Sequence, residues 1–117
     1  MRGITFALCR RMRDVTVRVL LVDDDDDARA IMARTLRGVG HQVVEATDGD
    51  EALAFDLTTF DIILSDLQMP RVGGRDVLAA ARAQSPLTPV VIFTAYANAE
   101  GALDLLTLGA YDYLPRP

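Results

Sequence analysis

The chain has 117 residues, half of them hydrophobic and a quarter charged, with a net charge of −5 and one cysteine, Cys9. That length builds one domain around one core, and no apolar run approaches a membrane span. An acidic domain is a poor partner for nucleic acid by itself, and a single thiol cannot close an internal disulfide, which fits a reducing cytoplasm.

Charge is unevenly spread. Arg2, Arg10, Arg11 and Arg13 against Asp14 give the first fourteen residues +3, leaving −8 for the rest, and none of the twelve basic residues is lysine. Residues 1–14 lack periodicity and read as a flexible basic extension, with the domain proper at 15–117. Their apolar part, Ile4 to Cys9, is too short for a secretory core and no small-residue cleavage site comes after it.

From Val15 strand and helix signals alternate. Val17 to Val22 is a β-branched and leucine run, as expected of a parallel strand buried on both faces. Asp26 is placed to cap a helix whose apolar face carries Ala28, Ile31, Met32, Thr35, Leu36 and Val39, ended by Gly38 and Gly40. Gln42 to Ala46 is a second strand. Asp48-Gly49 turns into a helix over about Asp50 to Leu57, and Asp61 to Ser65 is the third strand. Gly73-Gly74 precedes a helix from Arg75 to Gln84. Pro86 and Pro89 lead into Val90 to Phe93, the fourth strand. A helix from Ala99 to Leu108 ends at Gly109, and Tyr111 to Leu114 is a closing strand.

This alternation predicts a doubly wound α/β domain, a parallel sheet with helices on both faces. Ligands of such sheets gather at the carboxyl ends of the strands. Those ends carry Asp23-Asp24, Asp66, Thr94-Ala95 and Arg116. Carboxylates a few Å apart repel by roughly 4 kcal/mol per pair at an effective dielectric of 20. Such a pocket favours a hard divalent cation and can present a carboxylate as a nucleophile.

Leu20-Leu21-Val22-Asp23-Asp24-Asp25, Asp66-Leu67-Gln68-Met69-Pro70, Phe93-Thr94-Ala95 and Gly109 to Pro117 occur in that order and spacing. In these pieces the sequence resembles the receiver domain of two-component response regulators, over about residues 17–117. The resemblance implies a flavodoxin-like five-stranded parallel sheet of order 2-1-3-4-5, its final helix absent here. It implies a phosphoryl group accepted at Asp66 from a sensor histidine kinase or phosphotransfer protein, a cytoplasmic setting and a downstream effector. It also implies Mg²⁺, or another divalent cation such as Mn²⁺, on Asp24, Asp66 and the Gln68 carbonyl, with Asp23 acting through water. Thr94 becomes the switch hydroxyl, Ala95 a backbone N–H donor to the phosphoryl group, and Tyr113 the switch aromatic. The domain is then a signalling phosphoacceptor rather than an enzyme, contacting neither nucleic acid nor membrane.

Two departures from the family pattern stand out. Arg116 replaces the family's lysine, and Arg and Lys are not interchangeable on phosphate. The alternative reading is a phosphorylation-independent interaction module. The second departure is that the sequence stops at Pro117, where the family has a further helix; the helix from Ala99 is apolar nearly all round, which predicts exposed apolar surface there and self-association. Other motifs fail. An EF-hand starting at Asp23 lacks its glycine (Ala28) and its final glutamate (Arg34). A dehalogenase-like phosphatase motif, Asp23-x-Asp25, meets Asp27 where Thr or Val belongs. His41 reads as a surface residue at a strand start, and Phe55, Phe60 and Tyr96 as core or rim, with tuning of phosphoryl access the alternative role for Tyr96.

Overall fold

A computed structural model describes residues 16–95 and 98–116. Cys9, the basic extension and Tyr96 lie outside the described residues. The sheet comprises β1 (Arg18–Val22), β2 (Gln42–Ala46), β3 (Ile62–Asp66), β4 (Val90–Thr94) and β5 (Asp112–Pro115), all parallel and in the order β2-β1-β3-β4-β5. Helices α1 (Asp26–Gly38), α2 (Gly49–Leu53), α3 (Gly74–Gln84) and α4 (Ala99–Thr107) link the strands, with a 3₁₀ turn at Leu57–Thr59. Each strand-to-strand link therefore crosses over the sheet, as parallel pairing demands.

Side chains alternate across a strand, and β1 shows the result. Leu20 and Val22 face one apolar layer with Ile63, Val90, Ile92, Leu78 of α3 and Leu105 of α4. Val19 and Leu21 face the other, with Ala33 and Leu36 of α1. The central strands are buried throughout, which is why they read as unbroken apolar runs.

Several element boundaries differ from the sequence expectation for identifiable reasons. Asp25, not Asp26, caps α1: its carboxylate accepts from the N–H groups of Asp27 and Ala28, each at 3.1 Å. The inner face of α1 is also different. Ile31 is 62% exposed and Val39 and Thr35 are exposed, while Ala33 and Leu36 are buried, in phase with Arg29. Helix α2 stops at Leu53, because Asp56 caps a separate 3₁₀ turn by accepting from the Thr58 N–H at 3.0 Å. His41 is buried rather than on the surface, its Nδ1 accepting from the Val17 N–H at 3.2 Å. Phe60 is buried and meets Phe55 edge to face with centroids 6.0 Å apart, as core and rim residues.

Helix α4 is held by one side. Leu105 is fully buried, Leu103 is 68% exposed, and Leu106 and Leu108 are exposed. An ion pair from Arg75 of α3 to Asp104 adds a polar tie. Leu105→Ala is expected to cost about 2–5 kcal/mol of unfolding free energy, the range for a buried leucine, and Leu103→Ala no more than about 0.5 kcal/mol. Urea unfolding of the two variants checks the contrast, and equal losses would mean that Leu103 is covered in solution.

Candidate functional site

The ladder of the sheet runs one residue past the strand ends and so fixes the first residue beyond each. The Asp23 N–H donates to the Ala46 carbonyl at 3.1 Å, the Leu67 N–H to Phe93 at 2.9 Å and the Arg116 N–H to Thr94 at 2.7 Å. Asp23, Asp66 and Arg116 are thereby brought to one rim by backbone bonds. Asp23 and Asp66 are buried and Asp24 is exposed, and each of the three offers a carboxylate oxygen within 4.8 Å of the others. Of the acids between Asp23 and Asp27, Asp25 is the helix cap and Asp26 and Asp27 lie in the first helical turn, where negative charge suits the helix dipole.

Arg116 lies among these acids. Its Nη2 is 2.5 Å from Asp23 Oδ2 and 3.8 Å from Asp66 Oδ2, and its guanidinium carbon stands 5.4 Å from the Phe93 ring centroid. Burial pushes the Asp66 carboxyl up to about 6. Arg116 opposes that rise, Asp23 and Asp24 add to it, and a hydrogen bond from the Gln68 N–H works against it. Burial also acts against the charged form of Arg116, but its hydrogen bond to Asp23 and the charges of Asp66, Asp23 and Asp25 outweigh burial and hold it above its usual range. The result is a small, acid-rich pocket with one internal cation. Its oxygen donors are those a hard divalent cation takes, and one exposed carboxylate leaves room for retained waters.

Two supports of the loop that follows β3 are not legible in the sequence. A Cβ at Gly74 would stand 2.5 Å from the Asp66 carbonyl oxygen and 2.9 Å from Leu67 Cα, so only glycine lets the start of α3 approach the loop this closely. Gly73-Gly74 reads in sequence as a simple turn. Arg71 has φ of 65°, in the left-handed region, and its guanidinium pairs with Asp50 at 2.8 Å and Asp48 at 3.7 Å. No sequence signal marks it, since arginine is not a left-handed residue by preference.

Of the other predicted residues, Thr94 and Ala95 fall at the rim and Tyr113 lies further down β5, beside Ile92. Thr94 ends β4 with its side chain buried, and Ala95 comes next, exposed. Tyr113 is half-buried in β5, its hydroxyl 3.3 Å from where a Cβ on Gly101 of α4 would stand. Gln68 is exposed and approaches the site through its backbone.

The model of the response regulator receiver domain matches residues 19–117. The chain belongs to the response regulator receiver domain family. This receiver domain is 37% identical over 98 residues to the DNA-binding transcriptional regulator NtrC of Klebsiella pneumoniae, a match covering 83% of this chain and 21% of that protein. The chain thus spans about a fifth of the length of that relative. Among solved structures, the chemotaxis protein CheY4 of Vibrio cholerae is 35% identical with a TM-score of 0.81, covering 88% of each chain. A Burkholderia pseudomallei response regulator with a phosphorylated aspartic acid and a calcium ion is 28% identical with a TM-score of 0.79, covering 86% of this chain and 60% of its own. The described residues contain no helix long and apolar enough to cross a membrane.

The raised Asp66 carboxyl has a consequence for stability. Its proton is held more tightly in the folded chain than at the ordinary value of 3.8, so its contribution is complete below 3.8 and is lost as pH rises through about 6. In metal-free buffer Asp66→Asn is therefore expected to stabilise the fold at about pH 7.5 by roughly 2–3 kcal/mol. That gap should close below pH 3.8. Urea unfolding across this range is the check, and a gap independent of pH would assign the gain to shape rather than charge.

Proposed function

We propose that this receiver domain is a phosphoacceptor signalling module. The Asp66 carboxylate attacks the phosphorus of a phosphohistidine on a sensor histidine kinase or phosphotransfer protein. The new P–O bond forms as the P–N bond breaks, leaving an acyl phosphate on Asp66, and the released imidazole nitrogen takes up a proton to give a neutral histidine. Water later cleaves the acyl phosphate. The observation that carries this reading is the placement of Asp66, 7% exposed at the end of β3, with Asp23 and Asp24 around it and Arg116 within ion-pair range. The Burkholderia relative, with its phosphorylated aspartate and calcium ion, supports it by analogy.

The roles divide by position. Asp24, Asp66 and the Gln68 carbonyl would hold Mg²⁺ or Mn²⁺, with Asp23 acting through bound water. When bound, that ion would supply positive charge to offset the phosphoryl group in transfer, where catalysis is mainly positioning and electrostatics. Arg116 and the Ala95 N–H bind phosphoryl oxygens. Thr94 turns its hydroxyl to the same group, and Tyr113 moves inward after it, changing the surface between α4 and β5 that an effector reads. The module works in the cytoplasm and does not itself bind nucleic acid.

One observation favours a second reading. Arg116 already pairs with Asp23 and approaches Asp66, so the pocket is partly neutralised from within. A domain that keeps this pairing permanently is a phosphorylation-independent interaction module.

Incubation with acetyl phosphate and Mg²⁺ separates the two. Intact-mass measurement is expected to show one added phosphoryl group on the native chain and none on Asp66→Ala. A native chain left unmodified, and unchanged by beryllofluoride, hands the function to the second reading. Arg116→Lys is expected to change the phosphorylation or dephosphorylation rate several-fold in the same assay. Rates matching the native chain would remove Arg116 from the mechanism.

A further inference from the structure

The three pocket acids are not equally held. Asp23 Oδ1 accepts from the Asp25 N–H at 3.0 Å and its Oδ2 meets Arg116. Asp66 accepts from the Gln68 N–H. Among the described residues no donor is bonded to the Asp24 carboxylate, which is exposed. Its direction therefore depends on the backbone it hangs from, and the nearest part of that backbone is the Asp23–Asp24 peptide.

That peptide is clamped from the side. The carbonyl of Asp23 accepts from Arg29 Nη1 at 2.7 Å. The same guanidinium donates from Nη2 to Asp26 at 2.7 Å and from Nε to Glu45 at 3.2 Å. It thus joins the end of β1, the first turn of α1 and β2. Glu45 is itself held by Arg37 Nη1 at 3.1 Å, and Arg37 Nη2 donates to the Val43 carbonyl at 2.8 Å. The side chain of Arg29 is only 12% exposed, on the inner face of α1 with Ala33 and Leu36. A guanidinium with each nitrogen on a different acceptor cannot turn without breaking a bond.

We propose that Arg29 is a positioning residue for the acid pocket: by clamping the Asp23–Asp24 peptide it aims Asp24 and sets the pocket's affinity for a divalent cation. This rests on the reading of Asp23, Asp24 and Asp66 as the cation site. Partners behind a ligand that fix its orientation commonly change metal affinity by about 10–100-fold when removed. The sign of the change separates geometry from charge. Arg29 is a cation near an acid-rich pocket, so its field alone works against a bound metal ion. Removing it should tighten binding if Arg29 is only a charge, and weaken binding if it holds geometry.

The experiment is a titration of the full chain with Mn²⁺, reading free Mn²⁺ by its paramagnetic resonance signal, with no phosphodonor present. Circular dichroism melts without metal show which variants are folded at the working temperature. Arg29→Gln is expected to raise the Kd for Mn²⁺ by about 10-fold. An unchanged or lower Kd overturns the proposal. If Arg29→Gln does not fold, Arg29→Lys decides. It keeps the charge but cannot span the three acceptors, so a several-fold rise in Kd supports positioning and a native Kd overturns it. Asp24→Asn tests the underlying reading separately. If it binds Mn²⁺ as tightly as the native chain, or if the native chain binds none, the acid pocket is not the cation site and the role given to Arg29 falls with it.

Discussion

Parallel pairing puts the carboxyl ends of all five strands at one rim of the sheet, and the backbone ladder is what makes that rim a site. Residues just past β1, β3 and β5 are still tied to the neighbouring strand through Asp23 to Ala46, Leu67 to Phe93 and Arg116 to Thr94. Their side chains start from backbone positions that cannot drift without breaking a sheet hydrogen bond. Both apolar layers press on the same ladder, with Leu20 and Val22 packed on one side and Val19 and Leu21 on the other. The hydrophobic core and the acid pocket are thus two ends of one constraint: the burial that makes β1 and β3 continuous also aims Asp23 and Asp66.

That constraint has an electrostatic cost. Asp66 is pushed up to about 6 chiefly by burial, with two neighbouring acids adding to it. Among the described residues the pocket is relieved chiefly by Arg116, which is bound to Asp23 and approaches Asp66 at 3.8 Å, and by the Gln68 N–H on Asp66. A site with more acid than internal cation is poised to accept further positive charge, which is the electrostatic case for a divalent ion. Sites that strain a fold in this way are where function concentrates, since no stability argument would assemble them.

Much of this is legible in the chain itself, because the relevant signals are local. The apolar runs of β1 and β3 end in carboxylates, so Asp23, Asp24 and Asp66 emerge from strand reading and the rule of strand ends. Thr94 and Arg116 emerge in the same way. The features that stay hidden depend on three-dimensional placement. The stripe containing Ile31 and Val39 stands out because hydropathy counts apolar residues. The actual inner face includes Arg29, whose burial is compensated by hydrogen bonds that hydropathy does not register. Gly74 looks like a turn residue, and its close approach to Asp66 exists only once α3 is docked. His41 reads as a surface residue because its partner, the Val17 N–H, comes from a neighbouring strand start twenty-four residues away.

The absence of lysine from the chain bears differently on two of its partly buried arginines, Arg116 and Arg29. At position 116 both terminal guanidinium nitrogens, Nη1 at 3.4 Å and Nη2 at 2.5 Å, address the same oxygen of Asp23. A single compact ammonium could make that contact, so pairing with Asp23 does not by itself require the planar fork. At position 29 three nitrogens reach three acceptors on three elements. No ammonium can do that from one position, because its donors share one atom while the fork spreads them over three. The same residue type therefore makes two kinds of contact around one pocket: the pairing of Arg116 with Asp23 does not by itself need the fork, whereas the three bonds of Arg29 behind the acids do.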